Sequence, residues 1–344
     1  MASRAITNYR TYLVFGDRED RVIETVGTTN DQRFFELGYY NGVEKPKAII
    51  NISPAVGCPV GCNFCELTNP GRALTSEEMV SQIFVMTSLA QDIDNLDLNR
   101  QQLKINIAKT GDPIFNGAVI EALEKTVSYF PSASFKYSTS MPDTRFLTER
   151  IRDLAVFARD HKNGSTQLQI SLISTNEKYR RESAKAKLAS LISIRQAVDT
   201  WHSINPLGRT PNCSLIIGEN TPCNPLDVIN VLPPNLIRFR IRKIVSTEHS
   251  KRSEIHEASE ERICEIVRQF RDAGYSINTA GIPTRTETIH GLASNVTRHR
   301  LEGGAQPEGV LFVPHDPNAE PVLYPNSFDI IEKLRTLPNN LAFG

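Results

Sequence analysis

The alternation of apolar and polar positions divides the chain into a short β-rich start and a longer stretch in which strand and helix patterns take turns. Tyr12–Phe15 and Arg21–Val26 are strand-like runs on either side of the turn cluster Gly16–Asp20. Phe34–Tyr40 reads as a third strand, ending at Asn41 and Gly42. From Lys47 onwards the pattern changes. Short apolar runs of the kind that fill a buried parallel strand are expected at 48–52, 103–108, 135–140, 168–173, 213–218 and 237–245.

Helical spacing fills the gaps between these runs. Thr75 to Glu78 has the form of a capping box, ahead of Met79, Ile83, Met86 and Ala90. Asn116 is placed to cap a helix bearing Ile120, Leu123 and Val127. Leu147, Ile151 and Leu154 mark the next helix, and Leu188, Leu191, Ile192 and Val198 the one after. A short helix is expected over Pro225–Leu232. A last one runs through Ile263, Ile266, Val267 and Phe270 and is stopped by Gly274.

Six strand–helix units imply a parallel sheet with right-handed crossovers, and they are too few for an eightfold barrel. The expected fold is α/β, a partial (β/α)6 TIM-like barrel open on one side. The β-ribbon would occupy residues 1–46 and the barrel 47–280. A C-terminal extension over 281–344, with β-like runs at Val310–Val313 and Val322–Tyr324, would pack over the open side or rim.

Composition narrows the setting. Lys plus Arg and Asp plus Glu both number 39, so the net charge is zero. This removes the usual electrostatic hint of a dedicated nucleic-acid binder but leaves room for a local basic patch. The charged start of the chain does not suit a signal peptide. No apolar run approaches the roughly 20 residues of a membrane span. A cytoplasmic location with reduced thiols is expected.

Three of the six cysteines, Cys58, Cys62 and Cys65, fall within one short Gly-containing segment after the first barrel strand. Thiolates so close can ligate one metal centre together. A structural zinc site wants four ligands, often as two Cys-x2-Cys pairs, and no matching second pair exists. An iron–sulfur cube held by three thiolates keeps one iron open, as a catalytic metal requires. Cys213, Cys223 and Cys264 are distant and irregularly spaced, and read as small hydrophobes. Arg238, Arg240 and Arg242 alternate with Ile237, Phe239 and Ile241 along the sixth strand. One face of that strand must meet helices, so the arginine face is expected to line the cavity and meet a phosphate or carboxylate.

The Cys-x3-Cys-x-aromatic-Cys spacing, with Phe64 as the aromatic, resembles the radical S-adenosylmethionine (radical SAM) superfamily. The resemblance implies a [4Fe-4S] cluster on Cys58, Cys62 and Cys65. Its open iron would chelate the methionyl end of SAM, and one electron from it would release a 5′-deoxyadenosyl radical. An electron donor such as flavodoxin or ferredoxin is implied as well. Further along, the chain is similar to the RlmN/Cfr-like RNA adenine methyltransferases. Arg21–Val26, Ser53–Cys58, Leu74–Met79, Gly111–Asn116, Tyr137–Ser140 and Gln169–Leu172 follow their motifs in order, thinly, from about residue 10 to 300. By that resemblance Gly111 and the Asp112 carboxylate would hold the SAM amine. Ser138 and Ser171 would meet its carboxylate or ribose, Ile216 to Gly218 its adenine, and Ser246 its ribose.

The chain departs from this branch where the branch carries its methyl group. His290 stands at the position of the C-terminal methyl-carrying cysteine, and imidazole cannot replace a thiol in that route. Glu66 to Thr68 replaces the family's Ser-Thr-Gly, and the N-terminal helical domain of RNA-directed members is not expected, because the ribbon starts by about residue 10. The sequence therefore points to a radical SAM enzyme acting on a small polar substrate, nucleotide-, sugar- or metabolite-like, with His290 as acid, base or anchor. An RNA methyltransferase with a variant route is the alternative, and a non-catalytic metal-binding protein the third reading.

Overall fold

The computed structural model describes residues 8–15, 22–29, 47–55, 57–65, 71–94, 102–161, 165–244, 248–279 and 311–313. One ten-stranded sheet runs through them. Its strands are β1 (Asn8–Phe15), β2 (Val22–Thr29), β3 (Lys47–Ile52), β4 (Gln102–Ile107), β5 (Ser134–Thr139), β6 (Thr166–Ile173), β7 (Asn212–Ile217), β8 (Arg238–Lys243), β9 (Ile277–Thr279) and β10 (Leu311–Val313). The spatial order is β10-β1-β2-β3-β4-β5-β6-β7-β8-β9.

β1 and β2 form the expected ribbon, paired antiparallel from Asn8↔Thr29 to Phe15↔Val22. The ribbon joins the barrel sheet by antiparallel pairing of β2 with β3. From β3 to β9 every neighbour is parallel. The architecture is thus the partial, TIM-like α/β barrel, with one strand more than the six the sequence pattern shows. The extra strand, β9, has three residues, too few for a periodicity to register. The run at 310–313 becomes β10 and pairs in parallel with β1, Tyr12 opposite Leu311. It extends the sheet edge rather than lying across a rim. The strand expected at Phe34–Tyr40, the run Val322–Tyr324, Ser246 and His290 lie outside the described residues.

The helices are α1 (Ser76–Asp94), α2 (Val119–Tyr129), α3 (Leu147–Asp160), α4 (Glu177–Glu182), α5 (Leu191–Ile204), α6 (Glu248–Arg252) and α7 (Glu260–Asp272). The capping box forms: Glu78 N–H donates to Thr75 Oγ1 at 3.2 Å, and Thr75 N–H to Glu78 Oε2 at 2.8 Å. α7 ends before Gly274, whose φ of 88° is left-handed. Three expectations need correction. The helix at Pro225–Leu232 is only a 3₁₀ turn, Pro225–Asp227. Asn116 does not cap α2, which starts behind Ala118 without a side-chain cap. Its amide instead donates to Pro54 O at 2.6 Å and Leu74 O at 2.8 Å, tying three rim segments together. Ile192, read as core, is 64% exposed.

The core lies between the outer face of the sheet and the helices. Phe239 on β8 packs edge-on against Phe270 of α7 at 4.7 Å and Tyr275 at 4.8 Å. Phe135 on β5 meets Phe157 of α3 at 5.6 Å. Alternation therefore turns Arg238, Arg240 and Arg242 to the opposite, concave face. Register carries that face across the sheet as polar rows. Ser138, Gln169, Asn212 and Arg238 stand side by side, and so do Ser171, Ser214 and Arg240. No Asp or Glu occurs on any of the strands β3 to β9.

Candidate functional site

Parallel barrels present their sites where strands end, at the C-terminal rim. The three-cysteine loop lies there, straight after β3. Its approach is pinned on both sides. Ser53 exchanges backbone bonds with the Gln82 amide of α1, both at 2.9 Å. Its hydroxyl accepts from Thr110 N–H at 3.2 Å, and Ala55 N–H donates to Thr110 O at 3.2 Å. The chain then turns through Gly57 and Gly61, with φ of 71° and 60°. Cys65 N–H closes a turn on Cys62 O at 3.1 Å.

The far side of the loop rests on a strap formed by residues 183–186, just after α4. Asn63 N–H donates to Ser183 O at 2.9 Å, Lys185 N–H to Gly61 O at 3.2 Å, and Ala186 N–H to Val60 O at 3.0 Å. Cys62 and Ala184 form an antiparallel bridge between them. Beneath this pairing Val60, Ile173 and Leu188 make a small apolar cluster, and Cys58, Cys62, Phe64 and Ala186 pack on it. Phe64 is therefore half-buried against the strap side of the loop.

None of the three thiols is in a disulfide, and all three are half-buried. Burial pushes Cys58 up to about 12, with the neighbouring Cys65 and Asp112 adding to it. Cys62 is raised well above the ordinary thiol value by burial, and further by Cys65, Cys58 and Asp112. The loop thus gathers three sulfurs whose thiolates repel one another unless a cation sits among them. Among the described residues no group of three or more His, Cys, Asp or Glu is arranged for a single metal ion. A cube binds each thiolate on a different iron, so its ligands stand wider apart than those of one tetrahedral zinc.

Gly111 and Asp112 follow β4 on the same rim. Gly111 has φ of 97°, and a Cβ there would lie 2.6 Å from Ala55 Cβ, so the two loops touch where only glycine fits. The Asp112 carboxylate is bonded within the protein. Oδ2 accepts Ser140 N–H and Ser140 Oγ, both at 2.7 Å. Oδ1 accepts Thr139 Oγ1 at 2.8 Å and Ile114 N–H at 3.1 Å. Four donors fill the lone-pair sites of a carboxylate. Burial pushes its pKa up, and these bonds pull it the other way. Asp112 is a brace between the ends of β4 and β5.

Ser138 lies one rung below that brace on β5, and its Oγ is buried without a partner among the described residues. Ser171 is half-buried on β6, and Arg240 half-buried on β8 in register with Ser214. The structure thus brings Cys58, Cys62, Cys65, Gly111 and Asp112 together at the rim. It sets Ser138, Ser171 and Arg240 on the concave wall beneath. Three rim residues went unread in the sequence. Thr139 and Ser140 lie inside a quoted motif, but their role depends on a partner 27 and 28 residues away. Arg180 sits in the polar run Glu177–Glu182 and gives no signal that it is buried.

No known family model matches the chain. Its sequence is 26% identical over 173 residues to a probable dual-specificity RNA methyltransferase RlmN of Prochlorococcus marinus (strain NATL1A), which covers 49% of this chain and 41% of that protein. It is 29% identical over 148 residues to the protein of the same description in Koribacter versatilis (strain Ellin345), covering 42% and 39%. The matched stretch spans about two fifths of the length of these relatives. In fold it is similar to a radical SAM methyltransferase from Sphaerobacter thermophilus, with a TM-score of 0.56 and 18% identity over 76% of this chain and 70% of that one. The chain is thus similar in sequence, through about half its length, to RlmN-type RNA methyltransferases, and similar in fold to a radical SAM methyltransferase.

Proposed function

We propose that the chain holds a [4Fe-4S] cluster on Cys58, Cys62 and Cys65 and cleaves S-adenosylmethionine reductively. The observation that carries this reading is the three-thiol loop at the C-terminal rim of a parallel, partly closed barrel. The donor set fits the group: three thiols outside any disulfide, with Cys58 and Cys62 disfavoured as bare thiolates by burial and then by their neighbours, suit a centre that supplies positive charge. Held by Cys58, Cys62 and Cys65, such a cluster would supply the single electron needed to cleave the sulfonium of SAM to methionine and a 5′-deoxyadenosyl radical, with a flavodoxin or ferredoxin as the electron source.

The chain's own residues would do the rest. Gly111 and the Asp112 brace shape the rim against the cysteine loop. Phe64 fills the loop's apolar side. Ser138, whose hydroxyl has no partner among the described residues, and Ser171 offer hydrogen bonds from the wall to SAM, and Ser246 joins them in this reading. Arg240 and its neighbours give that wall positive charge, on strands that carry no carboxylate.

For the substrate, the relatives' description as RNA methyltransferases moves the weight from a small metabolite to RNA. A cationic concave wall suits a phosphate-bearing substrate. Because His290 stands where the branch carries its methyl group on cysteine, the reaction would follow another route, with His290 as acid, base or anchor. The second reading is a small phosphorylated or carboxylated metabolite, favoured by the chain's zero net charge. A cytoplasmic, reducing setting suits both.

The test is anaerobic reconstitution, followed by 5′-deoxyadenosine release with structured ribosomal and transfer RNA, and separately with nucleotides and sugar phosphates. RNA-dependent release with a mass change in the RNA supports the first reading, and release with small molecules alone supports the second. Cys58→Ala, Cys62→Ala and Cys65→Ala should each lose iron, sulfide and all release. Retention of iron and sulfide by all three would overturn the cluster assignment. His290→Ala should lose product while keeping SAM cleavage.

A further inference from the structure

The guanidinium of Arg180 is held behind the cysteine loop at 1% exposure. Nε donates to Leu172 O at 2.9 Å, near the end of β6, and Nη1 donates to Ala189 O at 2.9 Å. The third nitrogen, Nη2, is buried with no partner among the described residues. Burial lowers its pKa to about 10, and Glu177 opposes that shift, so the group stays charged at neutral pH.

A buried cation with no bonded carboxylate is an expensive way to fill space, and an apolar side chain would do it more cheaply. What the planar fork does, and an apolar residue cannot, is hold two carbonyls at a fixed separation. Those carbonyls belong to the two ends of one excursion. Leu172 is where the chain leaves β6, and Ala189 is where it returns. Between them runs the strap that pairs with Val60, Gly61 and Asn63 of the cysteine loop. The loop also presses back. A Cβ on Gly61 would lie 2.9 Å from Lys185 Cδ, so loop and strap are in contact there, and the φ of 60° at Gly61 is one that side chains rarely adopt.

We propose that Arg180 is a positioning residue for the metal loop: it fixes the Ser183–Ala186 strap, and the strap fixes the spacing of Cys58, Cys62 and Cys65. The inference builds on the cluster reading but has its own readout in metal-free protein. Arg180→Lys keeps the charge without the fork, and Arg180→Met keeps the bulk without either. Gly61→Ala attacks the same contact from the other side. Val198→Ala, in a core helix away from the loop, is the control for plain destabilisation.

In metal-free protein, alkylation of Cys58, Cys62 and Cys65, followed by mass spectrometry, should speed up several-fold in Arg180→Lys, Arg180→Met and Gly61→Ala. It should be unchanged in Val198→Ala. After anaerobic reconstitution the same three variants should lose iron to a chelator faster and show an altered electron paramagnetic resonance spectrum of the reduced cluster. If the Arg180 and Gly61 variants match Val198→Ala in alkylation and spectrum, Arg180 is only a core residue and the proposal fails. If alkylation shifts as expected while wild type takes up no iron and sulfide, the positioning role stands and the cluster reading fails. Should Arg180→Met not fold, Arg180→Lys and Gly61→Ala still decide.

Discussion

Asp112 accepts both the backbone N–H and the hydroxyl of Ser140, each at 2.7 Å, across 28 residues of sequence. With Thr139 and Ile114 completing its four donors, the carboxylate ties the ends of β4 and β5 beside the cysteine loop. Asp112→Ala leaves those donors buried and unpaired, and should cost about 1–3 kcal/mol or more in denaturant unfolding, since each orphaned donor carries its own desolvation penalty. Asp112→Glu restores a carboxylate but pushes an extra methylene into a closed space, at a cost of about 1–3 kcal/mol. Wild-type stability in Asp112→Glu would show that the site has room, and that the brace is looser than the structure has it.

Gly111 makes the complementary contact. Its φ of 97° and the 2.6 Å approach to Ala55 Cβ leave no place for a side chain. Gly111→Ala should cost at least the roughly 1–2 kcal/mol of a left-handed residue, with a steric share on top. Because Ala55 lies on the approach to Cys58, alkylation of Cys58 should change in the same variant. Unfolding midpoints and mass-spectrometric labelling check both parts, and a neutral Gly111→Ala would mean the two loops move apart freely.

The legible parts of the molecule were those written in local patterns. Apolar runs announced the six longer barrel strands, and Thr75 and Glu78 announced the start of α1. What stayed hidden depends on partners distant in sequence. Asn116 has the chemistry of a helix cap, and only the fold shows its amide reaching Pro54 and Leu74. At Asp112 the sequence shows a carboxylate at a strand end, and only the fold brings Thr139 and Ser140 against it. Arg180 lies among charged residues in Glu177–Glu182, and its burial follows from the fold of the strap around it.

The cysteines outside the loop should separate cleanly by reactivity. Burial pushes Cys213 and Cys223 up to about 12 each, whereas Cys264 is exposed. The thiolate is the reactive form. Iodoacetamide at about pH 8 should therefore label Cys264 first and leave Cys213 and Cys223 unmodified in folded protein. Raising the pH should favour the two buried thiols only as it nears 12, where unfolding overtakes the titration. Early labelling of Cys213 would mean that the β7 core opens on the timescale of the reaction.

Arg238, the first residue of β8 and so at the end of the strand opposite the cysteine rim, tests how far down the concave wall a phosphate is met. It stands in register with Asn212 and, through it, with Gln169 and Ser138, on strands without a single acidic residue. A phosphate-bearing substrate placed there gains a charge-assisted bond, and removing one such contact from a nucleic acid lowers the salt dependence of binding by about one in the slope of log affinity against log salt. Arg238→Gln should therefore weaken RNA or nucleotide binding and flatten that slope, with little effect on unfolding because the residue is only half-buried. Affinity measured across a salt series in wild type and variant reads the difference directly. An unchanged slope with unchanged affinity would place the substrate's phosphates elsewhere and leave the arginine row to the protein's internal electrostatics.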